Sequence, residues 1–243
     1  MFKLNTFLII IAILLCIICP LSTVAYSQFK FTNLTLWFKQ AALEYQKDKP
    51  LHHFSRWNYW STEDWVKHIK WGVTYLDPPL QDGNNVFESG CGVGAYLQTL
   101  KSLYPNIMLS GIDIVPEAIQ VARNVLPGNF YVGDAKSLIK EQNDTYDYSF
   151  SNCVIGYLNN LSEAYQMVAE LIRITKKGRP IMISTIIENN NHNVGSLKLF
   201  IRKSWWHENA ASWNVQITTI SRMGDWPGAQ SQGDRYAVFM KKL

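Results

Sequence analysis

The 243-residue chain lacks several features that would point quickly to a function. It has no dense run of lysine or arginine. Its 23 basic and 19 acidic residues leave a net charge of +4, which provides no electrostatic footprint for nucleic acid. Charged residues, at 17%, are too few and apolar residues, at 47%, too many for a disordered chain. Four cysteines in a chain this long do not make a disulfide framework. Cys16 and Cys19 fall in an apolar stretch, which leaves only Cys91 and Cys153 in the globular part. No His/Cys/Asp/Glu spacing implies a metal site, and there is no internal repeat and no low-complexity linker. Tryptophan is missing from the middle: Trp37, Trp57, Trp60, Trp65 and Trp71 come early, Trp205, Trp206, Trp213 and Trp226 come late, and none lies between.

The apolar excess is concentrated at the start, where 19 of the first 25 residues are apolar. The remainder, about 44% apolar, has the composition of an ordinary globular domain. Phe7–Cys19 is an uncharged apolar run followed by Pro20 and the small, polar stretch Ser22–Ser27. With cleavage after Ala25 or Ser27 this is a signal peptide. Read from Phe7 to Ala25 it is just long enough to span a bilayer. Residues 1–27 are therefore expected to be a signal peptide or a membrane anchor. The protein is expected to be membrane-anchored by a single N-terminal pass, with secretion or the secretory-pathway lumen as the alternative. Lys3 on one flank and Lys30 and Lys39 on the other do not fix orientation. Asn33, Asn143 and Asn160 open Asn-X-Ser/Thr triplets at about the frequency chance would give, and so carry no weight.

Residues 28–80 read as an aromatic-rich helical cap with one or two short helices before Ser61. Ser61-Thr-Glu-Asp64 resembles a capping box and opens a helix that Asp77-Pro-Pro79 ends. From Asn85 the pattern alternates between strand and helix. The strands are Val86–Glu88, Ile107–Ile114, Phe130–Val132, Tyr148–Asn152 and Arg179–Ile186; the helices are Ala95–Leu103, Pro116–Val125 and Leu161–Ile174. Val215–Ser221 and Arg235–Met240 form a final pair, antiparallel to each other. The fold class is thus α/β: a Rossmann-like, doubly wound, mostly parallel sheet of seven strands with an antiparallel C-terminal pair, over residues 81–243.

The segment Val86-Phe-Glu-Ser-Gly-Cys-Gly-Val-Gly94 closes a strand and opens a helix. Gly90 and Gly92 allow a sharp turn and a close approach by a ligand, and a helix N-terminus follows. Gly90, Gly92 and Ala95 also fit a dinucleotide fingerprint. The acids around the turn favour another ligand. Glu88 at the first strand tip repels a pyrophosphate but attracts an ammonium. Asp113 at the second suits the two hydroxyls of a ribose. Asp134, in Gly133-Asp-Ala135 at the third, suits an adenine amine. Together they fit a ligand with an amino-acid end, a ribose and an adenine.

These residues resemble the class I S-adenosylmethionine-dependent methyltransferases, especially the small-molecule group called methyltransferase family 11. Glu88-x-Gly90-x-Gly92-x-Gly94 is similar to the family's first motif, Asp113 to its second acidic position and Gly133-Asp134-Ala135 to its adenine-side motif. Tyr146–Asn152 is similar to its fourth-strand motif, and Lys177-Gly178-Arg179 stands where the family commonly has Pro-Gly-Gly. The resemblance implies S-adenosyl-L-methionine as cofactor. It places the methionyl amine on Glu88, the methionyl part over Gly90, Gly92 and Gly94, and the ribose on Asp113. Adenine would lie against Ile114 with its amine on Asp134 and Ala135 beside it, and Asn152 and Cys153 would line the sulfonium side. It also implies in-line transfer of a methyl group to a small or lipophilic acceptor. The alternatives are a non-catalytic cofactor-binding or interaction domain, or a protein methyltransferase.

No catalytic base is identified. Trp60, Trp71, Tyr157 and Trp205 are the candidate acceptor-side residues, within a set of aromatics that would otherwise pack the added helices onto the sheet. Cys153 is expected to be a small buried hydrophobe. The five histidines are expected at the surface or at helix caps.

Overall fold

The stretch from Asn85 to Ile186 folds as its alternating pattern requires. In the computed structural model, which describes residues 35–54, 61–186, 199–222 and 235–243, a helix over 35–43 (α1) leads to a 3-10 turn at Leu51–Phe54 and to helix Thr62–Val73 (α2). Then come β1 (Asn85–Ser89), α3 (Ala95–Leu103), β2 (Met108–Asp113), α4 (Pro116–Val125) and β3 (Asn129–Val132). The chain continues with β4 (Tyr148–Asn152), a 3-10 turn at Ile155–Tyr157, α5 (Leu161–Ile174) and β5 (Pro180–Ile186). Helix α6 (Lys203–Ala210) and strands β6 (Val215–Arg222) and β7 (Arg235–Lys242) complete it.

Helices α2 and α5 start where a side chain satisfies a free N–H group. Ser61 Oγ accepts from the Asp64 N–H at 3.0 Å, and Asn160 Oδ1 accepts from the Glu163 N–H at 2.9 Å. Pro116 takes the first turn of α4, where its missing N–H costs nothing. Helix α6 breaks the sequence pattern. It is eight residues long, has no side-chain cap, and its two buried residues, Trp205 and Trp206, are adjacent rather than one turn apart.

The strands pair in the order β3-β2-β1-β4-β5-β7-β6. Strands β1 to β5 are mutually parallel, and β7 runs antiparallel to both of its neighbours. The C-terminal pair is therefore not a separate hairpin at the margin: its second strand is inserted against β5. Both faces of the sheet are covered, so successive residues are buried on opposite sides. Val86 packs with α3 and α4, and the adjacent Phe87 packs with α5, both fully buried. The described part of the N-terminal region joins the first face through Leu51, Trp65 and Ile69. On the second face Tyr236 docks α6: its hydroxyl donates to the Ile201 carbonyl at 2.6 Å and accepts from Trp206 Nε1 at 2.7 Å.

From β1 the chain winds outward through β2 and β3, then returns to place β4 on the other side of β1. The connections leaving β1 and β4 therefore diverge, opening a crevice at the carboxyl ends of these strands. Among the described residues no helix is long and apolar enough to cross a membrane. The expected signal or anchor at residues 1–27 lies outside the described residues.

Candidate functional site

The crevice is a cleft of about 230 Å³, several times the ~30 Å³ share of one water, so it takes a multi-atom ligand. Its floor is the turn after β1. The Gly90 and Cys91 N–H groups both donate to the Ile112 carbonyl at 2.8 Å, which fastens the turn to β2. Gly90 has φ +76°, and a Cβ there would stand 2.2 Å from Val154 Cγ2, so only glycine fits. A Cβ on Gly92 would meet nothing within 4 Å; this residue faces open space on the cleft. Gly94 differs from expectation. It caps α3 and does not line the cleft; a Cβ there would strike Leu126 Cδ1 at 2.6 Å, so its part is to let α3 approach the end of α4.

Three carboxylates reach the cleft from three successive strands. Glu88 is only 3% exposed, and its Oε2 has no hydrogen-bond partner among the described residues. Burial, then the nearby charge of Asp113, pushes its carboxyl well above the usual range. A buried acceptor left unpaired is costly unless a ligand completes it, and a cationic donor does so best. Asp113 holds the turn together: Oδ2 accepts from the Gly92 N–H at 2.8 Å and Oδ1 from the Val115 N–H at 2.9 Å. Burial raises its pKa against the lowering effect of these bonds. Each oxygen keeps a second lone pair, so a vicinal diol remains within its capacity. Asp134 lies on the turn after β3, with Gly133 and Ala135 beside it on the cleft. Ile114 adds an apolar surface there, 41% exposed, suited to a flat ring. Between the first two acids, Cys91 is buried, and burial with the charges of Asp113 and Glu88 pushes its thiol well up, so it is no thiolate nucleophile.

The fourth strand supplies Asn152 and Cys153. Ser184 of β5 organises both: its hydroxyl donates to Asn152 Oδ1 at 2.8 Å and accepts from the Cys153 N–H at 2.7 Å. Nothing in the spacing of Ser184 marks it for this. Cys153 is not the buried hydrophobe expected; it is half-buried, lines the cleft and has φ +60°. The structure thus gathers Glu88, Gly90, Gly92, Asp113, Ile114, Asp134, Ala135, Asn152 and Cys153 around one cleft, and leaves out Gly94.

The cleft is also lined by aromatic side chains, Tyr157 with Phe38, Phe54, Trp65 and Tyr96. Helix α1 contributes to this lining. Phe38 meets Tyr157 edge-on at 5.6 Å, and Lys39 pairs with Glu117 of α4 at 2.6 Å. Two of the expected acceptor residues are elsewhere. Trp71 is buried in the core against Tyr75 and Phe239, because α2 turns that face to the sheet rather than to the cleft. Trp205 is buried on the other side of the sheet, edge-on to Trp206 and Trp213. Trp60 lies outside the described residues. Two histidines also differ from expectation: His52 is buried and stacked on Trp65, and His68 is buried beside Trp65 and Trp71. Among the described residues, no group of three His, Cys, Asp or Glu could hold a metal ion.

An unpaired carboxylate for a cation, a carboxylate for a diol, a carboxylate for an amine and an apolar shelf for a ring describe one elongated ligand. Comparison with known proteins identifies the family. A family model described as a methyltransferase domain matches residues 80–241. The demethylmenaquinone methyltransferase of Thermotoga maritima is 26% identical over 144 residues, covering 58% of this chain and 58% of that protein. The malonyl-[acyl-carrier protein] O-methyltransferase of Bacillus anthracis is 35% identical over 81 residues, covering 32% of this chain and 29% of that protein. The chain spans less than two thirds of the length of these curated relatives. A solved complex of the Haloferax volcanii Trm112 methyltransferase activator with a methyltransferase matches with a TM-score of 0.60 at 18% identity, over 74% of this chain and 90% of that one. That last likeness concerns fold alone.

Proposed function

We propose, from the premise that this chain belongs to the methyltransferase-domain family and is a class I S-adenosylmethionine-dependent methyltransferase, that its acceptor is a small, apolar molecule bound against the aromatic lining of the cleft. S-adenosylmethionine is its cofactor, and the residues present fit it. The unpaired Glu88 Oε2 is the observation that carries this fit, because the cleft leaves that buried oxygen for a cationic donor such as the methionyl ammonium. Asp113 would hold the ribose hydroxyls, Asp134 the adenine amine and Ile114 the adenine face. Asn152 and Cys153 would flank the sulfur end.

When bound, the cofactor supplies a methyl group already activated by a positively charged sulfur. The chain's own part is alignment and the exclusion of water. Phe38, Phe54, Trp65, Tyr96 and Tyr157 present apolar ring surface to an acceptor, and Tyr157 adds a hydroxyl that can orient a polar atom on it. The Trp65 indole N–H is already spent on Thr99 Oγ1 at 2.9 Å, so Trp65 contributes surface and not a donor. The curated relatives named above include an enzyme for demethylmenaquinone, which supports a small-molecule acceptor.

The test is transfer of labelled methyl from S-adenosylmethionine, catalysed by the full chain, into separated lipid extracts, water-soluble metabolites and proteins. Label is expected in an apolar small-molecule fraction. Label in protein would replace this reading with protein methylation. Cofactor binding without transfer to any fraction would leave a silent binding domain.

We further propose that the apolar segment from Phe7 to Ala25 is retained as an anchor with the domain facing the cytosol, where the cofactor is made. Export would separate the enzyme from that supply. Mature protein isolated from its source is expected to retain the segment; an N-terminus near Tyr26 or Gln28 would overturn the anchor.

A further inference from the structure

A short helix packed by one side on a protein is ordinarily polar on the other. Helix α1 departs from this. Phe38 and Ala42, one turn apart, face inward, where Phe38 lines the cleft and Ala42 is buried in the core. Leu36 and Leu43, two turns apart, share the outward face and are 56% and 60% exposed; Trp37 beside them is 39% exposed. Three of the ten large apolar residues exposed among the described residues therefore fall on this one nine-residue helix. The polar side chains along it are engaged: Gln40 Nε2 donates to Glu44 Oε1 at 2.9 Å, and Lys39 is held by Glu117 at 2.6 Å.

The sequence before α1 points to the occupant of this face. The apolar run that ends at Ala25 stops ten residues before α1 begins at Thr35. A fully extended chain of that length reaches at most about 35 Å, so an anchored run keeps α1 within reach of the bilayer surface. A helix with leucines and a tryptophan on one face lies in the headgroup region with that face buried. Thr35 and Phe38 of the same helix line the cleft, so contact along α1 brings the cleft to the bilayer. We infer that the outward face of α1 seats on a lipid bilayer and that the acceptor is an apolar molecule dissolved in that bilayer, which reaches the aromatic lining without crossing water. This rests on the retained anchor and the apolar acceptor proposed above.

The test uses the full chain in vesicles of phosphatidylcholine and phosphatidylglycerol. A photoreactive benzophenone side chain is placed at Leu36, at Leu43 or, as the control, at Lys177. Lys177 is exposed on the turn before β5, at the amino end of the parallel strands and away from the cleft. Lipid adducts are expected at Leu36 and Leu43, about tenfold above those at Lys177. Equal adducts at all three positions, or none at any, would overturn the seating, and crosslinks to another copy of the chain would replace it with a dimer contact. Leu36→Ser combined with Leu43→Ser, both at exposed positions where a polar residue leaves the fold intact, is read by labelled-methyl transfer into a lipid extract. Transfer is expected to slow about tenfold when the extract is carried in the vesicles and less than about twofold when it is dispersed in detergent. Equal loss in both, or loss in neither, refutes collection of the acceptor from the bilayer. The underlying readings fail differently. Without the anchor the full chain does not float with the vesicles. With another acceptor class the label enters water-soluble metabolites or protein while the lipid adducts at Leu36 and Leu43 persist.

Discussion

Replacing Glu88 by Gln is expected to weaken S-adenosylmethionine binding by about thirty- to a hundredfold while raising the melting temperature of the ligand-free protein. The two effects have one cause. In the free protein Glu88 is buried with Oε2 unpaired and Asp113 nearby, so its ionised form is disfavoured. A neutral amide carries no charge to desolvate and none to repel Asp113, so that electrostatic penalty is removed even though its polar atoms stay buried. In a chain of this size each kcal/mol moves the transition by about 2–4 °C. The bound state reverses the sign, because a charge-assisted bond to the cofactor ammonium is lost. The pH dependence follows. Glu88 has a folded pKa above its unfolded value, so the folded state holds its proton more tightly. Its contribution to stability is fully present below the unfolded pKa and is lost as pH rises through the folded one. The stability gain of the Gln variant should therefore be near zero around pH 4 and grow towards neutrality. Binding of a cation pulls the Glu88 pKa down, so the native chain should release protons on binding. It should also lose affinity as pH falls through the raised pKa of the free state. Thermal melts between pH 4 and 8, and calorimetry in buffers of different ionisation enthalpy, check both. A Gln variant that melts lower at pH 7 and binds as tightly would sink the assignment.

Much of this site was legible in the sequence because it is built from elements whose signals are local. The turn from Glu88 to Gly94 declares itself by glycine spacing, and a parallel sheet carries Asp113 and Asp134 to the same end as Glu88 whenever each stands at a strand tip. The α5 span and the strand at Tyr148–Asn152 follow from their apolar patterning, whereas the cap at Asn160 emerges only in the structure. What failed depends on which way a side chain turns. Gly94 shares a motif with Gly90 and Gly92, yet it faces Leu126, since three positions of a tight turn cannot all face one ligand. Trp71 and Trp65 sit on one helix, but α2 docks so that Trp71 reaches Phe239 and Trp65 reaches the cleft. Periodicity places them on different faces without saying which face meets the ligand. Phe38 and Phe54 belong to short segments with no pattern of their own; their place is set by Lys39 on Glu117 and by ring contacts to Tyr157 and Tyr45. Ser184 acts through side-chain bonds across 32 and 31 residues of sequence, a separation no local motif encodes.

Asp113→Ala is expected to lower cofactor affinity by on the order of a hundredfold or more, and the loss should fall on the ribose. A carboxylate accepting from two hydroxyls contributes about 3 kcal/mol through charge-assisted bonds, and alanine removes both. The same change frees the Gly92 and Val115 N–H groups, which Asp113 now engages at 2.8 and 2.9 Å, so the glycine turn loses its tie to β2 on that side. The turn keeps its other anchorage, the Gly90 and Cys91 N–H groups on the Ile112 carbonyl, so the fold should survive. Two opposing effects on stability then meet. Unpaired amides at the open cleft are rehydrated at small cost, and removal of the Asp113 charge relieves Glu88. The melting temperature should consequently change little while binding collapses. A 2′,3′-dideoxy analogue of S-adenosylhomocysteine separates recognition from scaffolding. If Asp113 binds the diol, the analogue binds the native chain weakly, and the Ala variant discriminates little between analogue and parent, a coupling a double-mutant cycle reads directly. If Asp113 only holds the turn, the variant weakens both ligands by the same factor and the native chain ignores the missing hydroxyls. Calorimetry on the four combinations decides between them.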